Sequence, residues 1–428
     1  MMGRLAVRHR IVLLALLINA VCYTDRVCIA ILGPEISKTF NFNQAEMGLV
    51  YSIFSLSYFL GQTPWGLAAD RHGSRFIVSF AVFFWSIFTG LTALVWNLTS
   101  LLLVRFTFGA LEAALSPSVR SAFNRWVPIN ERATSFGAFL GGGRFGGAIT
   151  PPIAGFLLFH YGWRVPFVVF GVVGLVGTAL WFWWYRDTPE QHPSITQAEL
   201  DRLKEHAVAA HESGAKTNWK QLLRSQRLWC LLGVAFGATF LWQFYATWFP
   251  TYLRERRGMS MTESSMYASL PFLVGLFANW TGGLLTDWIG RRTDHRYART
   301  VVGLVSLFAG AALMSSGIWC QTASTAALLM GLAAGAVDFY LGAAWSSATD
   351  IGGAAGGAVA GLMNAASNCA AFASPALMGW VLLKSNNWDY VLLLSVGTTL
   401  IATVLWLFVN PRPQKSASLP AAVGVVES

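Results

Sequence analysis

Apolar runs long enough to cross a bilayer, about twenty residues each, recur along the chain, separated mostly by short polar breaks. They lie at 11–32, 45–69, 76–96, 99–121, 131–159, 163–186, 227–253, 262–287, 299–318, 323–348, 355–383 and 389–410. The pattern predicts an all-α membrane protein of twelve transmembrane helices. A longer polar break, Asp187 to Gln226, divides them six and six. The expected organisation is an N-terminal half over 1–186, a central loop over 187–226, a C-terminal half over 227–411 and a tail over 412–428. In the central loop, Thr196 and Glu199 have the spacing of a capping box, and Leu200 and Leu203 start an apolar stripe. A short amphipathic surface helix, or a regulatory-partner site, is expected there. The first run continues past Ala20 without a small-x-small cleavage site, which predicts an uncleaved span.

Composition agrees with a membrane chain. The 428 residues are 55% hydrophobic and only 12% charged, against about 25% charged in soluble domains. The formal charge of +10 does not point to nucleic acid, because the basic residues sit in short loops between apolar runs. They do fix orientation. With the N-terminus inside, the outer loops receive only Lys38, Arg164, Arg254, Arg256, Arg257 and Lys384 of the 30 Lys and Arg residues, and Arg26, Arg105 and Arg144 fall within spans. Both termini are therefore expected in the cytoplasm, in a multi-pass protein of the cytoplasmic (inner) membrane. The five cysteines form no C-x-x-C pair, so neither a disulfide framework nor a metal site is expected. No cofactor or ATP-binding motif is read, and the spans hold no cluster of enzyme type.

The candidate chemistry lies in charges at bilayer depth, which are functional-site hypotheses by default. Asp25 and Arg26 are adjacent in span one. Arg105 and Glu112, two helical turns apart in span four, share a face. Arg144 stands among glycines in span five, as an anion contact, a neutralising partner of Glu112 or a snorkelling side chain. Asp338 in span ten has no evident basic partner in its own half. It is read as protonated, locally hydrogen-bonded, or a further proton or cation site. Among uncharged residues, Tyr51, Tyr58 and Gln62 share a face of span two. Gln243 lies in the aromatic run W-Q-F-Y-A-T-W, and Asn364 and Asn368 are four apart in span eleven. After the second span of each half comes D-x-x-G-x-R, as Asp70 to Arg75 and Asp287 to Arg292. Asp70, Arg71, Arg75, Asp287 and Arg291 are expected to gate, through bonds that break as the halves rock.

The repeated loop resembles the signature of the major facilitator superfamily. Y-T-D-R-V-C-I-A (Tyr23 to Ala30), G-W-R-V-P-F (Gly162 to Phe167), W-F-P-T-Y-L (Trp248 to Leu253) and D-I-G-G (Asp350 to Gly353) are similar to its anion:cation symporter branch. That branch includes bacterial galactonate, hexuronate, glucarate and phthalate transporters and animal sialic-acid and vesicular glutamate transporters. The resemblance implies that Asp25, Arg26, Arg105 and Glu112 form two cross-helix pairs, with the two acids as proton sites. It implies a monomeric proton-coupled importer of an organic anion, a sugar acid such as galactonate or a hexuronate. Arg26, Arg105, Tyr58, Arg144, Gln243, Asn364 and Asn368 would bind the anion. The alternatives are an aromatic, phthalate-like carboxylate and sodium coupling. Small anion, protons and lipid bilayer are the expected partners.

Overall fold

The computed structural model describes residues 6–128, 131–197, 199–201, 203 and 219–409. Most of the central loop's basic residues and the tail 412–428 lie outside them. The described residues are helical, without strands. Twelve long helical stretches follow in order: α1 Val7–Phe40, α2 Gln44–His72, α3 Ser74–Leu91, α4 Leu98–Trp126, α5 Arg132–Tyr161, α6 Arg164–Trp184, α7 Gln226–Glu255, α8 Met261–Arg292, α9 His295–Trp319, α10 Ala323–Gly352, α11 Gly356–Ser385 and α12 Trp388–Val409. Ten are long and apolar enough to cross a membrane. The other two, α2 and α5, are 29 and 30 residues long but richer in polar residues and glycine. Large apolar side chains such as Phe156, Phe159, Trp183, Phe277, Phe308 and Ile401 are exposed, as suits a hydrocarbon solvent rather than water.

The glycines of α5 answer to packing. A Cβ at Gly142 would lie 2.3 Å from the Leu16 carbonyl oxygen, and one at Gly146 would lie 2.1 Å from that of Ala20. Only glycine lets α5 run directly against the backbone of α1. The same device joins the first six helices to the last six. A Cβ at Gly48 of α2 would meet the Pro375 carbonyl at 2.6 Å, and one at Gly379 of α11 would meet that of Gln44 at 2.3 Å.

Between α1 and α2 the chain reverses at Asn41, which takes the left-handed conformation, and Asn43 with Glu46 makes a full capping box for α2. The two D-x-x-G-x-R stretches differ in build. Gly73 has φ +85° and breaks the chain between α2 and α3, whereas α8 runs through Gly290 to Arg292 and Asp294 caps α9. Asp70 accepts a bond from Ser121 Oγ at 3.0 Å. The α3 N-terminus is served instead by Asp187, which accepts from the Arg75 N–H at 3.0 Å. Arg75 Nε donates to the Phe182 carbonyl. Asp70, Arg71, Asp287 and Arg291 are exposed.

Within the central loop, the described contacts of Glu199 hold it to α1, and part of the expected surface helix lies outside the described residues. Thr196 Oγ1 accepts weakly from the Glu199 N–H at 3.4 Å, but the Glu199 carboxylate does not turn back to complete a box. It is buried and accepts from the N–H groups of Val7 and Arg8, at 3.2 and 3.0 Å. The orphan donors and dipole at the start of α1 attract it there.

Candidate functional site

A cavity of about 180 Å³ lies between the two sets of six helices. From α1, α2 and α4 come Tyr23, Arg26, Phe54, Tyr58 and Arg105; from α7, α8 and α11 come Trp242, Gln243, Phe272 and Asn368. Of the residues expected from sequence, Arg26, Arg105, Tyr58, Gln243 and Asn368 thus line it, while Asn364 and Arg144 do not. Gln243 Nε2 donates to the Ala371 carbonyl at 3.1 Å. Asn364 and Asn368 both donate to Gln62 Oε1, at 3.1 and 3.4 Å, and so join α11 to α2. The α7 backbone is locally a π-helix over Phe244–Trp248, a rare geometry frequent at functional sites. It begins where Gln243 enters the wall.

Packing of α1 against α4 places the charges. Arg26 forms an ion pair with the fully buried Glu112. The second expected pair does not form. Asp25 is 1% exposed, yet neither of its carboxylate oxygens has a hydrogen-bond partner. Trp85 Nε1 and Thr89 Oγ1 on α3 face it without reaching hydrogen-bond geometry. Arg105 instead lies over the rings of Phe54 and Phe108, at 5.0 and 4.7 Å, with its Nε unsatisfied. Cation–π attraction holds the guanidinium there without cancelling its charge.

Arg144 is not a partner of Glu112, and Asp338 does have a cation. Arg144 Nη2 donates to Asp338 Oδ1 at 3.0 Å and lies 2.8 Å from Oδ2 as an ion pair. The Arg144 guanidinium carbon sits 3.6 Å from the centre of the Trp242 ring, behind the cavity wall. At the end of the molecule where α1 meets α2, a second ion pair joins the two helix sets, Arg254 to Glu35 at 2.7 Å. Sequence reasoning missed both links. Their partners are 194 and 219 residues apart, and no local spacing encodes them.

A family model described as Major Facilitator Superfamily matches residues 15–368. The probable sulfoacetate transporter SauU of Cupriavidus necator is 30% identical, with 96% of each chain covered. The probable galactarate/D-glucarate transporter GarP of Escherichia coli is 31% identical over 94% of each. The hexuronate transporter of Bacillus subtilis is 29% identical over 96% of this chain and 97% of its own. In fold, the chain is similar to an inward-facing bacterial homologue of the human lysosomal transporter Spinster, with a TM-score of 0.76 at 20% identity, covering 95% of this chain and 98% of that one. The chain belongs to the major facilitator superfamily, in its anion transporter branch, and is a multi-pass membrane transporter of organic anions rather than an enzyme.

Proposed function

We propose that this carrier imports a sugar acid, such as galactonate or a hexuronate, together with protons. The helices α1–α6 and α7–α12 would rock as two halves about the cavity, with 187–226 as their connection. In this reading α2 and α5 also cross the membrane, which gives twelve spans. The monomer sits in the cytoplasmic membrane with both termini inside. The excess of basic residues then places the Asp70 and Asp287 loops in the cytoplasm. The halves meet at the opposite end through Glu35–Arg254 and the Gly48–Gly379 contact, and in this reading the arrangement is inward-facing. Asp70, Arg71, Arg75, Asp287 and Arg291 would form the gate at the inner end.

The observation that carries the reading is the unequal treatment of the two acids. A carboxylate without partners at the depth of Asp25 is stable only when neutral. Glu112 is instead held against the Arg26 guanidinium. Arg105 is then the excess cation facing the cavity, ready to accept a carboxylate in bidentate geometry. Protonation of Glu112 would free Arg26 as well. Gln243 and Asn368 would read hydroxyls, while the aromatic wall covers the apolar face of a sugar ring. The names of the relatives support a small, hydroxylated or short-chain anion. A phthalate-like carboxylate is the second reading, favoured by Phe54, Trp242 and Phe272 in the wall.

The test is a thermal-shift and uptake series with D-galactonate, D-galacturonate, D-glucarate and phthalate, on purified protein and in proteoliposomes. Uptake should follow an imposed pH gradient without sodium. Arg105→Ala should weaken binding by about tenfold or more, the loss of a charge-assisted pair of about 1.5–3 kcal/mol. A sodium requirement would replace protons in this scheme. Unchanged affinity in folded Arg105→Ala would remove the anion site from this face.

A further inference from the structure

The interruption of α4 has a counterpart in the other half. The first part of α4 ends at Glu112, the next two residues form a turn, and a 12-residue helix, Leu115–Trp126, follows. The first part of α10 ends at Asp338, two residues again form a turn, and a 12-residue helix, Leu341–Gly352, follows. Three residues before each acid stands a glycine that lets the helix press on the second helix of its own half. A Cβ at Gly109 would lie 2.5 Å from the Phe54 carbonyl oxygen of α2, and one at Gly335 would lie 2.2 Å from Val274 of α8. Glu112 and Asp338 therefore occupy equivalent places in the two halves. Each is almost fully buried, and each holds one arginine.

The arginines differ in origin. Glu112 takes Arg26 from α1, within its half. In the C-terminal half α7, the counterpart of α1, offers Trp242 instead of a cation, and Asp338 takes Arg144 from α5 across the interface. The surroundings are arranged for this carboxylate. A Cβ at Gly275 of α8 would lie 2.5 Å from Asp338 Oδ2, and Asn279, one turn on, reaches the same oxygen at 3.5 Å. Arg144 is the charged group facing Asp338, and the other titratable neighbours are Tyr340 on α10 and, beside Arg144, Tyr23 of α1. Arg144 Nη1 is buried without a hydrogen-bond partner, so the guanidinium depends on Asp338 for its charge balance.

We propose that Asp338 is a proton-accepting site of the transport cycle, the C-terminal counterpart of Glu112, whose protonation opens the ion pair that ties the two halves together beside the cavity. In the step a hydronium ion gives its proton to the carboxylate, one O–H bond breaking as the other forms and water being left; the acid becomes neutral, and Arg144 is released. Nothing is oxidised, and no other covalent bond changes. With its carboxylate neutral, Asp338 no longer locks α10 to α5 by charge, and the halves slide on their apolar contacts. The entering anion offsets the positive charge left on Arg144. This inference rests on the proton-coupled reading above and adds a site to it.

The experiment compares wild type, Asp338→Asn and Asp338→Glu in proteoliposomes, with D-galacturonate and D-glucarate as probes. Both pH-driven accumulation and anion exchange at equal pH are measured, with protons entering counted by an internal pH dye. Asp338→Asn should keep exchange within about threefold of wild type, yet lose accumulation and carry fewer protons per anion, as a permanently neutral acid would. Asp338→Glu should restore coupling with a shifted pH midpoint. If the Asn variant accumulates normally at an unchanged proton ratio, or loses exchange and accumulation together while folded, Asp338 is not a proton site. Should Asp338→Asn fail to fold, an unchanged pH midpoint in Asp338→Glu overturns the proposal on its own. A wild type that moves no protons would overturn the coupled reading and this one together, whereas a coupled wild type with an equally coupled Asn variant overturns only this one.

Discussion

Phe54 lies between the two guanidiniums that line the cavity, 5.0 Å from each. Its ring steadies both without neutralising either, so what distinguishes Arg26 from Arg105 is the acid beside it. The two acids should accordingly respond differently to substitution. Asp25 has no partner to lose, and Asp25→Asn should leave the melting temperature near that of wild type. Glu112→Ala should cost more, about 1–3 kcal/mol, because it takes the charged partner from Arg26, which lines the cavity. Thermal denaturation in detergent compares them, and a large loss in folded Asp25→Asn would mean that Asp25 is ionised in the stable state. Glu112→Gln keeps the shape and removes the charge. It should bind and exchange anion but fail to accumulate it under a pH gradient. Full pH-driven accumulation by that variant would take Glu112 out of the proton path. If Asp25 and Glu112 alone both load before a monoanion enters, one excess positive charge crosses with it. Each further acid that loads, Asp338 included, adds another.

At the scale of elements, the contact of α1 with α5 is set by backbone approach. Even one added methyl at Gly146 would lie 2.1 Å from the Ala20 carbonyl, so α5 would have to move off α1. Gly146→Ala should destabilise by about 1–3 kcal/mol, the usual penalty of overpacking, whereas Gly137→Ala, where a Cβ meets nothing within 4 Å, should be neutral. Equal melting curves would show that the helices part freely. The helices themselves were legible in sequence because bilayer thickness imposes their length. The run predicted at 131–159 is Arg132–Tyr161, and that at 389–410 is Trp388–Val409. Arg26, Arg105 and Gln243 were legible too, since polar groups are rare enough in such runs to stand out. What could not be read was which polar group meets which. The family resemblance implied a cross-helix pair for Asp25 with Arg105, but Arg105 lies over the Phe54 and Phe108 rings. Glu199 had the spacing of a local cap and instead caps another helix. Arg144 and Asp338 gave no sign of each other, because an ion pair between halves depends on their relative position.

For the molecule as a whole, the links between the halves are graded along its length. At one end lie Glu35–Arg254, the Gly48 and Gly379 contacts, and the edge-on pair Tyr51–Trp248, 5.3 Å between ring centres. Beside the cavity is Arg144–Asp338, and beyond it Gln62 receives bonds from Asn364 and Asn368. Alternating access requires that the first group open while contacts at the other end form. Most of that first group is apolar or backbone packing. Glu35–Arg254 is its charged element, only partly screened, with side chains 23% and 17% exposed. A pair of this kind contributes about 1 kcal/mol, so Arg254→Ala should move the ratio of the two arrangements roughly fivefold toward opening at that end. Spin labels at Ser37→Cys and Met259→Cys, which line the pocket beside this link, would report the change by pulsed EPR, with the exposed Cys369 replaced by Ser. The long-distance population should grow in Arg254→Ala, and charge exchange, Glu35→Arg with Arg254→Glu, should return it toward wild type. Lys38, which also bonds Glu35 at 3.4 Å, keeps that partner in Arg254→Ala, so this variant isolates the link across the halves, whereas the exchanged pair sets Lys38 beside a cation and should return only part of the way. An unchanged distance distribution in Arg254→Ala would leave closure at this end to the Gly48–Gly379 packing alone.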